Sequence, residues 1–324
     1  MRVVLHIGHS KAGSSSIQRF LIDNQAALLE RGVATAGKDF EFSNEAEIRR
    51  PPNFWLEDKA KDPESAGAGI REALEKASQD RRVKIAVISA ETLGRRERAA
   101  LFEGMADRFD LKVLHYVRRQ DAWIYAAWKQ WQVKAGLTLE EWVEQCLNRT
   151  TPDYEGIWSA WTQSAIPEEA YEMVWLNEKT LTGGDLLTDF CARAGIDGDG
   201  LARPGRINPG FDPALMEVFQ RAPFLFEGPH DNVVYRYLED RLPEEAFVSG
   251  RMPFPLAKAV MDSFRESNET LRRRFAPDVD HDALFGLEPP ADESGESDID
   301  RLYRAMGYVL HLMANEKRGK NPAR

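Results

Sequence analysis

Near the start of the chain, residues with usable chemistry crowd into "LHIGHSKAGSSSIQRFL", positions 5–21. An apolar run (Val3, Val4, Leu5) leads into a loop of small residues, and Ile17, Phe20 and Leu21 then recur at helical spacing. A small-residue loop between a strand and a helix turns backbone N–H groups toward one spot, with the positive end of the helix dipole behind them. Ser14, Ser15 and Ser16 add hydroxyl donors at the first helical turn, and Lys11 adds a positive charge. One serine would be enough to cap a helix. A lysine, Gly13 and several hydroxyls together point instead to a site for an anion of the phosphate type. The Walker spacing G-x-x-x-x-G-K-[ST] is not met, because Ser14 stands where the lysine belongs and Lys11 lies three positions earlier. No strand ends in a clear magnesium-binding acid, Glu91 in "VISAE" being the nearest approach.

Further candidates fall at other strand ends. Arg118 follows the apolar run 111–117 and precedes a helix opened by Asp121, a placement suited to bidentate capture of a phosphate, or to an ion pair with Asp121 or a glutamate. Glu91 closes the run 83–91, at the carboxyl end where open α/β sheets place their sites. A carboxylate there serves as a general base or pairs with Arg95 or Arg96. His9, inside the loop, is the second candidate for proton transfer, whereas His6 and His115 fall within strands and read as packed side chains. Trp123, Tyr125, Trp128 and Trp131 recur at helical spacing and read as core, with stacking on a sugar or adenine as the alternative.

The segment "HIGHSKAGSSSIQ" resembles the 5′-phosphosulfate-binding loop of the sulfotransferases, whose bacterial members carry H-I-G-x-x-K-T-G-T-T-x-I-Q there. Independently, "LKVLHYVRRQDAWIYAAWKQWQVKAG" (111–136) resembles their 3′-phosphate segment. The resemblance implies a P-loop NTPase-like sulfotransferase fold. It also implies transfer of a sulfuryl group from PAPS (3′-phosphoadenosine 5′-phosphosulfate) to a hydroxyl or amine, with PAP as product and no metal. By the same resemblance, Lys11, Ala12, Gly13, Ser14, Ser15 and Ser16 hold the 5′ end of the donor, with Lys11 at the bridging oxygen. Arg118 and the residue eight positions on hold the 3′-phosphate, and Glu91 takes the acceptor's proton. That eighth position is Ala126 where the family has serine, a missing hydroxyl worth about 1–3 kcal/mol. Weaker similarity continues to about residue 286, through "GGDLLTDFCARAGID" and "RINPGFDPALMEVF". The acceptor implied is a glycan, a glycolipid or a small molecule. An ATP-dependent P-loop kinase, and a non-catalytic nucleotide-binding protein for which Ala126 speaks, are the competing readings.

The elements that must position these residues follow from hydrophobic periodicity. Apolar runs at 2–7, 83–91, 111–117 and 172–178 read as strands, alternating with helices at 16–31, 70–78, 95–108, 121–134 and 183–197. That rhythm predicts an α/β fold, a central parallel sheet flanked by helices. Residues 38–68 read as a polar loop with a short helix at most. Beyond about 200 only helical signals remain (212–221, 231–241, 255–275), which predicts a helical cap on an α/β domain spanning 1–286. An acidic linker at 287–298 then leads to an amphipathic helix at 299–316 and a basic, frayed tail at 317–324. Leu302, Met306, Val309, Leu310 and Met313 share one face of that helix, expected to pack on the core or to join two copies as a homodimer.

Bulk properties bound the rest. The 324 residues are 43% hydrophobic and 30% charged, as in an ordinary globular protein. A net charge of −10 argues against a nucleic-acid binder and leaves room for a local basic pocket. Two distant cysteines, Cys146 and Cys191, read as free buried thiols. Neither a signal-peptide pattern nor an apolar run of roughly 18 residues is present, so a cytoplasmic location is expected and a membrane span is not.

Overall fold

Five strands build the sheet: β1 (Arg2–His6), β2 (Val33–Thr35), β3 (Ile85–Ser89), β4 (Asp110–Val117) and β5 (Tyr171–Trp175). All pair in parallel, in the order β2-β3-β1-β4-β5. The central strands are apolar on both faces (Val3, Val4, Leu5, Ala86, Val87, Ile88, Val113 and Leu114 are buried), which is what helices on both sides of a parallel sheet require. β1 has β3 on one side and β4 on the other, so the carboxyl ends of these three strands lie where open parallel sheets place their ligand sites. The predicted α/β class is the observed one. The computed structural model describes residues 1–205, 210–248, 250–288 and 298–319.

The chain divides into two units, the first formed by Met1–Arg119, Asp153–Ile207 and Arg265–Gly286 and the second by Gln120–Pro152, Asn208–Phe264 and Leu287–Arg324. The first unit contains the whole sheet, with helices Ser14–Asp23, Pro63–Gln79, Tyr154–Ser164, Leu186–Ala194 and Arg265–Phe275. Three of its elements differ from expectation. β2, a short edge strand after Gly32, lacks the length to show a period. The short helix allowed within 38–68 is Asn53–Lys59, but helix Pro63–Gln79 starts inside that expected loop, well before residue 70. Asp62 accepts from the Ser65 N–H and Pro63 takes the first helical position, a start signal that outweighs Gly67 and Gly69. The stretch expected as a helix at 95–108 is a 3₁₀ turn, Arg96–Phe102.

The second unit is helical and packs around Trp123, Ile124, Trp128, Phe211, Phe219, Tyr235 and Val260. The tryptophans at 123 and 128 are therefore core, and the expected helix 121–134 gives way after Ala127 to a π-helical turn, Trp128–Gln132. The terminal helix, Asp298–Gly319, buries Ala305 and Tyr308. Tyr308 Oη donates to the Glu245 carbonyl at 3.1 Å, and Arg304 pairs with Asp212 at 3.1 Å. This rotation leaves Leu302, Met306, Val309, Leu310 and Met313 at least half exposed, so the expectation that they pack on the core is corrected. Most of the expected linker (289–297) and the tail from 320 lie outside the described residues. Cys146 and Cys191 are free and buried. Among the described residues no helix is long and apolar enough to cross a membrane.

Candidate functional site

The loop after β1 is shaped by backbone conformation before any side chain contributes. Lys11 (φ 67°) and Gly13 (φ 81°) both adopt the left-handed region, on either side of Ala12. Such an alternation curls a chain into a concave, anion-accepting turn, and costs a non-glycine residue like Lys11 conformational energy. The Ala12 N–H donates to the His9 carbonyl at 3.0 Å, and Ser14 Oγ donates to the same oxygen at 3.2 Å. Gly8 allows the close approach, since a Cβ there would overlap Ser14 Oγ and lie 2.8 Å from His6 Nε2.

Helix Ser14–Asp23 then begins without a side-chain cap and without an acidic residue in its first turn. The N–H groups of Ser16 and Ile17 return to the Gly13 carbonyl, while those of Ser14 and Ser15 have no acceptor within the helix, as the first N–H groups of any helix must. Four other helices start on their own carboxylates, Asp62, Asp153, Asp185 and Asp212, while those starting at Gln25, Asn53, Val233, Phe254 and His281 also lack a side-chain cap. The contrast matters because a carboxylate at this helix start would occupy the place of an anionic ligand.

Glu91 and Arg118 follow the carboxyl ends of β3 and β4, and both lie close enough to Lys11 to interact with it electrostatically. Burial pushes the Lys11 ammonium below its ordinary range; Glu91 works against that shift and Arg118 adds to it. Burial likewise raises the Glu91 carboxyl, and Lys11 only partly offsets it. The alternative partners expected for Glu91 are engaged elsewhere: Arg95 pairs with Glu57 at 3.1 Å and Arg96 pairs with Asp153. Of the two adjacent arginines, Arg119 donates to the Gly286 carbonyl at 2.6 Å and ties down the returning segment, whereas the Arg118 side chain is exposed.

Beneath the loop lies a histidine and tyrosine cluster. His6 Nδ1 shares a hydrogen bond of 2.7 Å with Ser89 Oγ, and His115 Nδ1 shares one of 2.6 Å with Tyr171 Oη. The Nε2 atoms of both are buried without a hydrogen-bond partner. Burial pushes His6 down to about 3 and His9 down to about 4, so these rings are neutral at pH 7. The His9 ring meets Tyr154 edge-on, with centroids 5.4 Å apart. Tyr154 Oη in turn donates to the Arg118 carbonyl at 2.7 Å.

In one neighbourhood of the first unit, therefore, lie His9, Lys11, Ala12, Gly13, Ser14, Ser15, Ser16, Glu91 and Arg118. Ala126 is half-buried on helix Gln120–Ala127 of the second unit. Tyr154 and Gln18, which donates to the Ser89 carbonyl at 3.4 Å, were not foreseen. An aromatic at a helix start carries no periodic signal, and its link to His9 and Arg118 exists only in three dimensions. Among the described residues no group of three or more His, Cys, Asp or Glu side chains gathers as a metal-binding set.

No protein-family model and no curated protein matches the chain. Among solved structures, a sulfotransferase from Alicyclobacillus acidocaldarius is similar with a TM-score of 0.44 and 15% identity, over 88% of this chain and 98% of that one.

Proposed function

We propose that the protein is a sulfotransferase, moving a sulfuryl group from PAPS to a hydroxyl or amine of a glycan, glycolipid or small-molecule acceptor. The observation that carries this reading is the grouping of Lys11, Glu91 and Arg118 around an uncapped helix start at the carboxyl ends of three parallel strands. The loop fits the 5′ end of such a donor. N–H groups of Ser14 and Ser15 that have no acceptor within the helix, serine hydroxyls and a lysine supply donors and positive charge, and Gly8 and Gly13 let the loop backbone pack close to His6, Ser14 and Leu186. Arg118 offers the planar fork suited to the 3′-phosphate.

The roles follow from the chemistry. As the donor's sulfuryl group leaves, charge builds on the oxygen that bridged it to the 5′-phosphate, and the Lys11 ammonium stabilises that charge. The acceptor must lose a proton, and Glu91, raised by burial, holds protons better than an ordinary carboxylate and is the base. His9, which burial keeps neutral at pH 7, meets Tyr154 edge-on and serves to support the loop. Ala126 favours one rival, a diverged protein that binds the nucleotide and does not turn it over.

Incubating the chain with PAPS and a panel of glycans, glycolipids and phenols, and following PAP release by mass spectrometry, tests the proposal. Acceptor-dependent release that disappears in Lys11→Ala is expected. PAP binding with no release from any acceptor would favour the non-catalytic rival.

A further inference from the structure

The terminal helix Asp298–Gly319 presents one face to its own unit, through Ala305, Tyr308 and the partly buried Leu312. Its other face is apolar and open. Ile299, Leu302, Met306, Val309 and Met313 follow one another at intervals of three, four, three and four residues, and Tyr303 and Leu310 widen the stripe. Exposure along it runs from 50% at Met306 to 67% at Tyr303. A globular protein tolerates scattered exposed apolar residues. A stripe about 21 Å long with the a/d spacing of a coiled coil is a different feature, because that spacing keeps the seam facing a second helix.

We propose that this face pairs antiparallel with the same face of a second copy of the chain. Charge selects both the partner and the direction. The sequence leading into the helix is acidic (Asp292, Glu293, Glu296, Asp298, Asp300), and that at its far end is basic (Lys317, Arg318, Lys320, Arg324). Parallel self-pairing sets like charges together, whereas antiparallel pairing brings each acidic end level with a basic one. An a-against-d layering sets Met306 of one copy opposite Val309 of the other and Leu302 opposite Met313. The same register brings position 298 level with position 317. The stripe offers roughly 500 Å² from each copy, about 1,000 Å² in total, at the lower limit for a specific interface. Arg304–Asp212 and Tyr308 already order the helix on its own unit, so pairing does not have to fold it. The inference is independent of the proposed activity.

Sedimentation velocity of the full chain at micromolar concentrations is the test. The expected mass is twice the 36.8 kDa of one chain. Leu302→Lys combined with Val309→Lys, both at exposed positions, converts it to monomer with an unchanged circular dichroism spectrum. Direction is read by oxidation: Leu302→Cys mixed with Met313→Cys cross-links, while Leu302→Cys alone, with its two thiols about 16 Å apart, does not. A monomeric wild type, including one that binds lipid vesicles or another protein's helix through this face, overturns the proposal. So does a dimer that survives the double lysine variant, or self-cross-linking of Leu302→Cys.

Discussion

Two cation–carboxylate arrangements sit in the first unit, one on helix Leu186–Ala194 and one at the loop before helix Ser14–Asp23, and they are built in opposite ways. On helix Leu186–Ala194, Asp189 accepts from the Thr182 N–H at 2.8 Å, from Tyr116 Oη at 2.7 Å and from Arg193 Nε at 2.8 Å. Arg193 also reaches Glu172 at 3.1 Å. Burial alone would push Asp189 up, but these bonds outweigh it and hold the carboxyl below its ordinary range; Arg193 is held above its own despite burial. At the loop the directions reverse: burial wins for both partners, lowering Lys11 and raising Glu91. A pair whose charges are fully satisfied is a structural device. Groups shifted mainly by burial and gathered at strand ends are what functional sites show more often than the rest of a protein.

Breaking each pair separates the two roles most sharply. Lys11→Ala is expected to cost at least about 10²–10³-fold in turnover, the scale of losing one stabiliser of developing negative charge, while the melting temperature holds or rises. Asp189→Ala does the reverse: it takes the carboxylate acceptor from buried Tyr116 and one of its two carboxylates from Arg193, and costs about 3–5 kcal/mol of stability in urea unfolding. Donor affinity of the folded fraction stays within about twofold of wild type, since the hydrogen-bond partners of Asp189 (Tyr116, Thr182 and Arg193) lie outside the loop. An Asp189→Ala protein that folds normally and loses donor binding would erase the contrast.

Glu91→Gln sharpens it, with an expected loss of about 10²–10⁴-fold in turnover at unchanged PAP affinity. The pH profile supplies the sign. Glu91 must be deprotonated to act, so activity rises with pH through a carboxyl titrating above its ordinary range. Lys11 must be protonated, so activity falls again through an ammonium titrating below its ordinary range. A narrowed bell is expected, and Lys11→Arg moves only its alkaline limb, to higher pH. An acid limb at ordinary carboxylate pH would remove Glu91 from the role of base.

The histidines beneath the loop give a stability effect of their own. Their folded-state values lie below the unfolded one, so their contribution is complete above about pH 6.5 and is lost as pH falls toward the folded values of about 3 for His6 and about 4 for His9. Urea midpoints should fall between pH 7 and pH 5 by the equivalent of about 2 kcal/mol from His6 alone. A pH-independent midpoint would show these rings to be solvated. The smallest effect is at Tyr154→Phe. Losing its hydrogen bond to the Arg118 carbonyl is expected to cost about 1 kcal/mol of stability and a few-fold in PAP affinity.

Much of this was legible in the amino-acid order, for stated physical reasons. Long apolar runs announced β1, β3, β4 and β5, and a strand end is where a loop residue such as Lys11, Glu91 or Arg118 has to emerge. β2 was not legible because three residues carry no period. Tyr154 was not, because its significance rests on contacts with His9 and Arg118, both distant in sequence. The terminal helix is found where its periodicity predicts, and only the core-packing reading of its stripe fails, for a different reason. Its stripe is real, but amphipathicity does not say which neighbour an element turns toward, and Tyr308 and Arg304 set that rotation.

On this reading the loop and Arg118 form one site for a nucleotide bearing both 5′- and 3′-anionic groups. Isothermal titration of PAP, beside magnesium-ATP, into wild type, Arg118→Ala and Asp189→Ala tests it most directly. Micromolar PAP binding is expected in wild type and Asp189→Ala, with a loss of at least about tenfold in Arg118→Ala and no comparable binding of ATP. ATP binding that requires magnesium, or PAP binding indifferent to Arg118, would contradict it.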